Sequence, residues 1–203
     1  MSASRFPDFF AEVPPIVLRD PLAALLGAAD DGLIEYRYLD AVRLAGHSCP
    51  TVAGAWLLTV RALRALYADE IPERGGVRVD FGEDQRSGVA GVIASVVGLL
   101  TGAAGVGGFK GLAGRHSRCD LLQFAVPEVS GIRFTRLDCG QSVDCSIDLS
   151  GVAGDPRMGE LLPLVLQGRA SAEQARQFGE LWQARVRRIL IDHGDDPALV
   201  RFA

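Results

Sequence analysis

From Ser87 to Phe109 the chain carries no charged residue, and a stretch of that length must be buried, either in a membrane or in a protein core. Its glycines decide between the two. Gly88, Gly91, Gly98 and Gly102 dilute the hydrophobicity, while Gly105, Gly107 and Gly108 end any helix well short of a span. The stretch predicts a buried helix that packs closely through its glycines, followed by a glycine-rich loop. The remaining elements must enclose that helix.

Period-3.6 and period-2 patterns supply the enclosing elements. Val52, Trp56, Val60, Leu63 and Tyr67 recur at helical spacing while Arg61 and Arg64 fall elsewhere, so a helix with one buried face is expected from Pro50 to about Ala68. A shorter helix is expected over Tyr38 to Ala45, and another starting at Asp20-Pro21 and ending at Asp30-Asp31-Gly32. Val77, Val79 and Phe81 alternate with Arg78 and Asp80 as a strand does. Further strands are read at Leu121 to Val126, around Ile132 and Phe134, and at Val143, Cys145 and Ile147, the last two joined by a hairpin turn at Cys139-Gly140. After the Gly151 to Pro156 break, Ser171 and Gln174 form a capping-box pattern ahead of a long amphipathic helix carrying Phe178, Leu181, Trp182, Val186 and Ile189. Helices and strands are segregated, so the class is α+β: a mixed, largely antiparallel sheet packed against helices, with C-terminal helices. One domain is expected over residues 1–203, with a helical C-terminal element at about 156–194 and a fraying end beyond it.

A net charge of −4 without a basic block argues against nucleic acid as the main partner, and no segment reads as a membrane anchor. Met1 to Glu12 contains Arg5 but no apolar core with a cleavage site, so a cytoplasmic protein is expected. In a reducing compartment Cys49, Cys119, Cys139 and Cys145 are thiols or ligands rather than disulfides.

The chemistry concentrates in Gly46-His47-Ser48-Cys49-Pro50. In an extended segment residues i and i+2 project to one side, so the His47 imidazole and the Cys49 sulfur can converge on one ion. Pro50 suits the first helical position and makes Cys49 the N-cap, where the helix dipole favours the thiolate. The competing reading is a small buried cysteine beside a hydrogen-bonded histidine. His116 and Cys119 repeat the residue types at a spacing of three, and with His47 and Cys49 they would make a two-His, two-Cys set of the kind zinc prefers. Alternatively, His116 is a surface side chain beside the first residue of a strand. Lys110, in the loop Gly105 to Gly111, is a candidate for holding an anion beside backbone amides, although the loop lacks the ending of a P-loop. Cys145 is expected in the core, Cys139 at an exposed hairpin, and His193 near a helix C-terminus rather than on a metal.

Three functions follow from these residues. The first is a transition-metal-binding protein with His47 and Cys49 as ligands, the metal being zinc by preference and iron, copper or nickel by the same donor chemistry. A second is a metal-dependent enzyme with an open coordination position for a small-molecule substrate. The third is a redox or nucleophilic thiol protein centred on Cys49.

The His-x-Cys-Pro loop with Ala53-Gly54, the glycine-bearing helix from Gly88 to Gly102 and the Gly108-Phe109-Lys110-Gly111 loop together resemble the FmdE-like family of formylmethanofuran dehydrogenase components, over roughly residues 36 to 150. The resemblance implies an α+β domain with a mixed sheet, akin to FmdE and GAPDH-type domains, a bound metal often seen as zinc, and a homodimer. The chain departs from the family pattern at Ala45, where many members have a second histidine, and at Gln85, Arg86 and Ser87, where many carry a cysteine. It also lacks the cysteine-rich zinc module that many members append. The C-terminal helix, with Trp182, is expected either to pack on its own domain or to cross to the other copy in such a dimer.

Overall fold

The computed structural model describes residues 6–203, so Arg5 lies outside the described residues. Among the described residues, seven strands and six α-helices follow one another as β1 (Ile16–Arg19), α1 (Pro21–Leu25), β2 (Leu33–Tyr36), α2 (Tyr38–Ala45), α3 (Pro50–Tyr67), β3 (Val77–Phe81), α4 (Ala90–Thr101), β4 (Leu122–Gln123), β5 (Ile132–Arg136), β6 (Ser142–Ile147), α5 (Arg157–Leu166), α6 (Ala172–Arg187) and β7 (Val200–Phe202). The main sheet has the order β4-β3-β5-β6-β7 and is antiparallel except for the β3–β4 pair, while β1 and β2 form a separate antiparallel pair. The class is α+β, as the segregation of patterns predicts.

α3 is the centre of the molecule. Val52, Trp56, Leu58 and Leu63 are all essentially inaccessible, because α3 lies between α4 and the sheet and is covered on several sides. Gly54 lets it approach β6 closely: a Cβ there would stand 3.3 Å from the side chains of Ile147 and Leu149. The charge-free stretch does form a helix, but only over Ala90–Thr101, with Gly102 at φ 72° as its left-handed cap. Its Ala94, Val97 and Leu100 are buried. Val89 and Val92 stay exposed, so the helix is a core element on one face only.

Three expectations need correction. The helix at Asp20-Pro21 is five residues long, with Asp20 accepting from the amides of Leu22 and Ala23; the chain then turns through Asp30–Gly32 into β2, where a helix end alone was expected. The strand read over Leu121 to Val126 shrinks to two residues, since only Val79 and Asp80 of β3 pair with it. The C-terminus does not fray: Val200–Phe202 pairs with Cys145, Ser146 and Ile147 as the edge strand of the sheet, and Val200 is fully buried.

Within the single chain the C-terminal helical segment packs on its own domain. Val186, Ile189 and Leu190 enter the core, and the Arg185 guanidinium donates to the Val152 carbonyl at 2.8 Å. The Ser171–Gln174 capping box forms as its spacing predicts.

At the far end of α3 a buried ion cluster ties the N-terminal pair of strands to the rest. Asp20 receives the Arg118 guanidinium at 2.8 Å and that of Arg74 at 2.9 Å. Burial alone would raise the Asp20 carboxyl, but the hydrogen bond from Arg74 and the charge of Arg118 outweigh it and hold the group below its ordinary range.

Candidate functional site

The loop carrying His47 and Cys49 joins α2 to α3, and its shape is set residue by residue. Gly46 ends α2 at φ 75° with its amide bonded to the Val42 carbonyl, a conformation that side-chain-bearing residues resist. Cys49 is the N-cap of α3 with extended backbone (φ −147°, ψ 168°), and its sulfur accepts from the Val52 amide at 3.5 Å; Pro50 fills the first helical position. The N-cap assignment read from the sequence therefore holds.

His47 is exposed, and its Nδ1 lies 2.9 Å from the Ala45 carbonyl oxygen. A carbonyl only accepts, so in the neutral ring Nδ1 carries the proton and Nε2 keeps its lone pair. This is the arrangement typical of a metal-binding histidine, in which the far ring nitrogen donates to a backbone carbonyl.

Between the two candidate ligands, Ser48 is gripped from three sides. Its carbonyl accepts from the Trp182 indole N–H and from the Gln183 amide, both at 3.1 Å, and its hydroxyl pairs with Tyr38 at 2.9 Å. Tyr38 is fully buried, and burial pushes its phenol well above the usual range in spite of the Ser48 hydrogen bond, so it is a neutral O–H partner. Trp182 packs against Phe178 with ring centroids 5.6 Å apart and planes tilted by 41°. The sequence marks Trp182 only as an apolar residue of an amphipathic helix, and nothing in it signals a partner 134 positions away. Gln183 and Tyr38 likewise carry no local signature of this role.

One atom of this clamp lacks a partner. Gln183 Oε1 is buried and receives no hydrogen bond among the described residues. Its amide nitrogen is fixed by the Ser48 carbonyl, so a flip would not cure the deficit.

The second His/Cys pair lies elsewhere. Arg118, between His116 and Cys119, reaches Gly75 and the α4 cap Gly102, beside the C-terminal end of α3. α3 has 18 residues, so about 27 Å of helix separates that end from Cys49. His116 is half-buried at φ 60°, and the Cys119 thiol donates to the Gly108 carbonyl at 2.8 Å. Among the described residues no three His, Cys, Asp or Glu side chains gather as a metal-holding group. The two-His, two-Cys set is thus not assembled within one chain. His47 and Cys49 share one loop, and neither His116 nor Cys119 joins them there.

The other candidates are placed as follows. Lys110 is exposed on the glycine loop, where the Gly108 amide is already committed to the Gly105 carbonyl at 2.9 Å. Cys145 is buried, and burial pushes its thiol up to about 12. Cys139 is exposed at the β5–β6 turn, and His193 Nδ1 lies 3.1 Å from Asp196 Oδ2. The two largest cavities are not lined by the loop: one of about 500 Å³ is bounded by the glycine loop and β4, another of about 420 Å³ by Tyr67, Gly75, Gly76 and Arg136. No helix among the described residues is long and apolar enough to cross a membrane.

The chain matches no known protein-family model, and no curated protein sequence matches it.

Proposed function

We propose that this protein binds a transition metal, zinc by preference, through His47 Nε2 and Cys49 Sγ, with the remaining positions open to solvent, a small-molecule ligand or a second copy of the chain. The observation that carries the reading is the Nδ1 contact of His47 with the Ala45 carbonyl, which leaves the outward nitrogen as a lone-pair donor two residues from an N-cap sulfur. The grip on Ser48 by Trp182, Gln183 and Tyr38 adds to it by holding the two donors on a fixed backbone. The loop's resemblance to the FmdE-like family points the same way, and from it we also infer a homodimer.

A bound zinc supplies Lewis acidity at whatever occupies its open positions. The chain's own contribution is orientation. Ser48 is fixed by its partners, and the Ala45 carbonyl holds the neutral His47 ring in one tautomer. With two protein donors the site is an open one, which makes metal-dependent catalysis the second reading.

Metal analysis of protein purified without an affinity tag tests the proposal. Wild type and Cys119→Ser should carry close to one ion per loop, and Cys49→Ser and His47→Ala should lose it. Substoichiometric metal in the wild type, or equal loss in Cys119→Ser, overturns the reading. Light scattering should give a mass near twice the 21.6 kDa chain.

A further inference from the structure

No segment reads as a membrane anchor, but the charges are not evenly distributed along the chain. Between Asp84 and Asp120 there is no acidic residue, while Arg86, Lys110, Arg115 and Arg118 all fall within that interval. Arg118 is neutralised by Asp20 in the buried cluster. Lys110 and Arg115 are exposed, and neither has a carboxylate partner among the described residues.

These two cations sit on a lobe that is built rather than slack. The outgoing arm from Gly105 and the returning arm to Asp120 are tied by the Arg118 amide to the Phe109 carbonyl at 2.7 Å and by mutual Leu112–Arg115 backbone bonds of 2.8 and 2.9 Å. The Cys119 thiol on the Gly108 carbonyl closes the base. Gly108 is required there, because a Cβ would stand 2.8 Å from the Arg118 carbonyl oxygen. On this frame Val106 is 86% exposed, and Phe109 and Leu112 are each 43% exposed. Val106 is the most exposed of the large apolar side chains described.

Three apolar side chains share this lobe with two cations that have no carboxylate partner, and its one acid, the exposed Asp120, lies at the base beside Val106 and Gly107; the set matches the two layers of an anionic lipid surface. The apolar groups suit the acyl boundary, and the cations suit the phosphate layer just above it. A nucleic acid would use the cations but leave Val106 and Leu112 without a purpose. We propose that the Gly105–Arg118 lobe docks the protein reversibly on an anionic phospholipid surface. Docking is peripheral, and it is independent of the metal loop at the other end of α3.

The test uses the full chain with sedimentation of vesicles of phosphatidylcholine alone and of phosphatidylcholine mixed with phosphatidylserine. Wild type should bind the mixed vesicles, bind the neutral ones much less, and release as salt is raised. The pair Val106→Asp and Phe109→Asp should weaken binding at least about tenfold, and the pair Lys110→Glu and Arg115→Glu should remove the preference for the mixed vesicles. All four positions are exposed, so thermal melts should match the wild type. Absence of binding, or equal binding by the variants, overturns the proposal. So does a fall in mass by light scattering for the Val106 and Phe109 pair without any vesicle binding by the wild type, which would assign the lobe to a contact between copies. Binding of single-stranded RNA by a wild type that ignores vesicles would likewise reassign it.

Discussion

The two loops that pair a histidine with a cysteine use the same residue types in opposite ways. At His47–Cys49 the backbone is held by side chains from elsewhere, Trp182, Gln183 and Tyr38, while His47 uses only Nδ1, on the Ala45 carbonyl, and the Cys49 sulfur takes only a long N-cap bond of 3.5 Å from Val52. At His116–Cys119 the cysteine itself is spent on a loop carbonyl, and the anchor is the intervening Arg118, buried on Asp20. A residue that can bind a ligand is available for it only when other groups do the structural work. By that measure the first loop is a candidate site and the second a structural tie.

The contrast can be broken most severely at Asp20. Asp20→Ala leaves two guanidinium groups facing each other in a buried place, so a loss of about 3–5 kcal/mol is expected, with the midpoint of urea unfolding as the measure. Arg118→Ala should cost less, because Arg74 still neutralises the carboxylate. If Asp20→Ala is as stable as wild type, the second loop has no structural anchor and the distinction collapses.

Trp182→Ala attacks the first loop. It removes a half-buried ring and one of the two donors to the Ser48 carbonyl. The expected cost is about 2 kcal/mol, below that of a fully buried tryptophan, and metal affinity should fall by about 10- to 100-fold as for other outer-shell partners. Unchanged affinity would mean that the grip on Ser48 does not serve the site. Since α6 packs on its own domain, Trp182→Glu should impair folding rather than yield a stable monomer.

Acid sharpens the comparison further. The Asp20 carboxyl is held below its ordinary value of 3.8 in the folded state, so its stabilising contribution is complete above that value and is lost as pH falls through the folded one. Between about pH 5 and pH 3 wild type should therefore lose more stability than Asp20→Asn, which has no proton to take up there. Parallel losses in urea titrations at the two pH values would remove Asp20 from the acid response.

The smallest effect is expected at His116. Its φ of 60° is one that glycine adopts freely, so His116→Gly should change stability by less than about 1 kcal/mol and leave metal content untouched. A loss of metal would return His116 to the ligand set.

Much of this organisation was legible in the residues. Pro50 after Cys49 marks the start of α3, Ser171 with Gln174 marks α6, and the alternation of Val77, Val79 and Phe81 marks β3, because capping and side-chain periodicity act over a few neighbouring positions. Local cues failed at β2, where Leu33, Ile34 and Tyr36 become a strand by pairing with β1, and at β7, which exists only because β6 offers an unpaired edge. Leu121 to Val126 failed in the other direction, since β3 has partners for just two of its residues.

The site divides along the same line. The sequence by itself determined that a sulfur caps α3 two residues after an imidazole, because N-capping and i, i+2 spacing are properties of a short segment. Only the tertiary structure decided that Ser48 is clamped by Trp182 and Gln183, and that His116 and Cys119 lie at the other end of α3. Those outcomes depend on how helices stack on the sheet, which is set by burial summed over the whole core, and no spacing along the chain reports it.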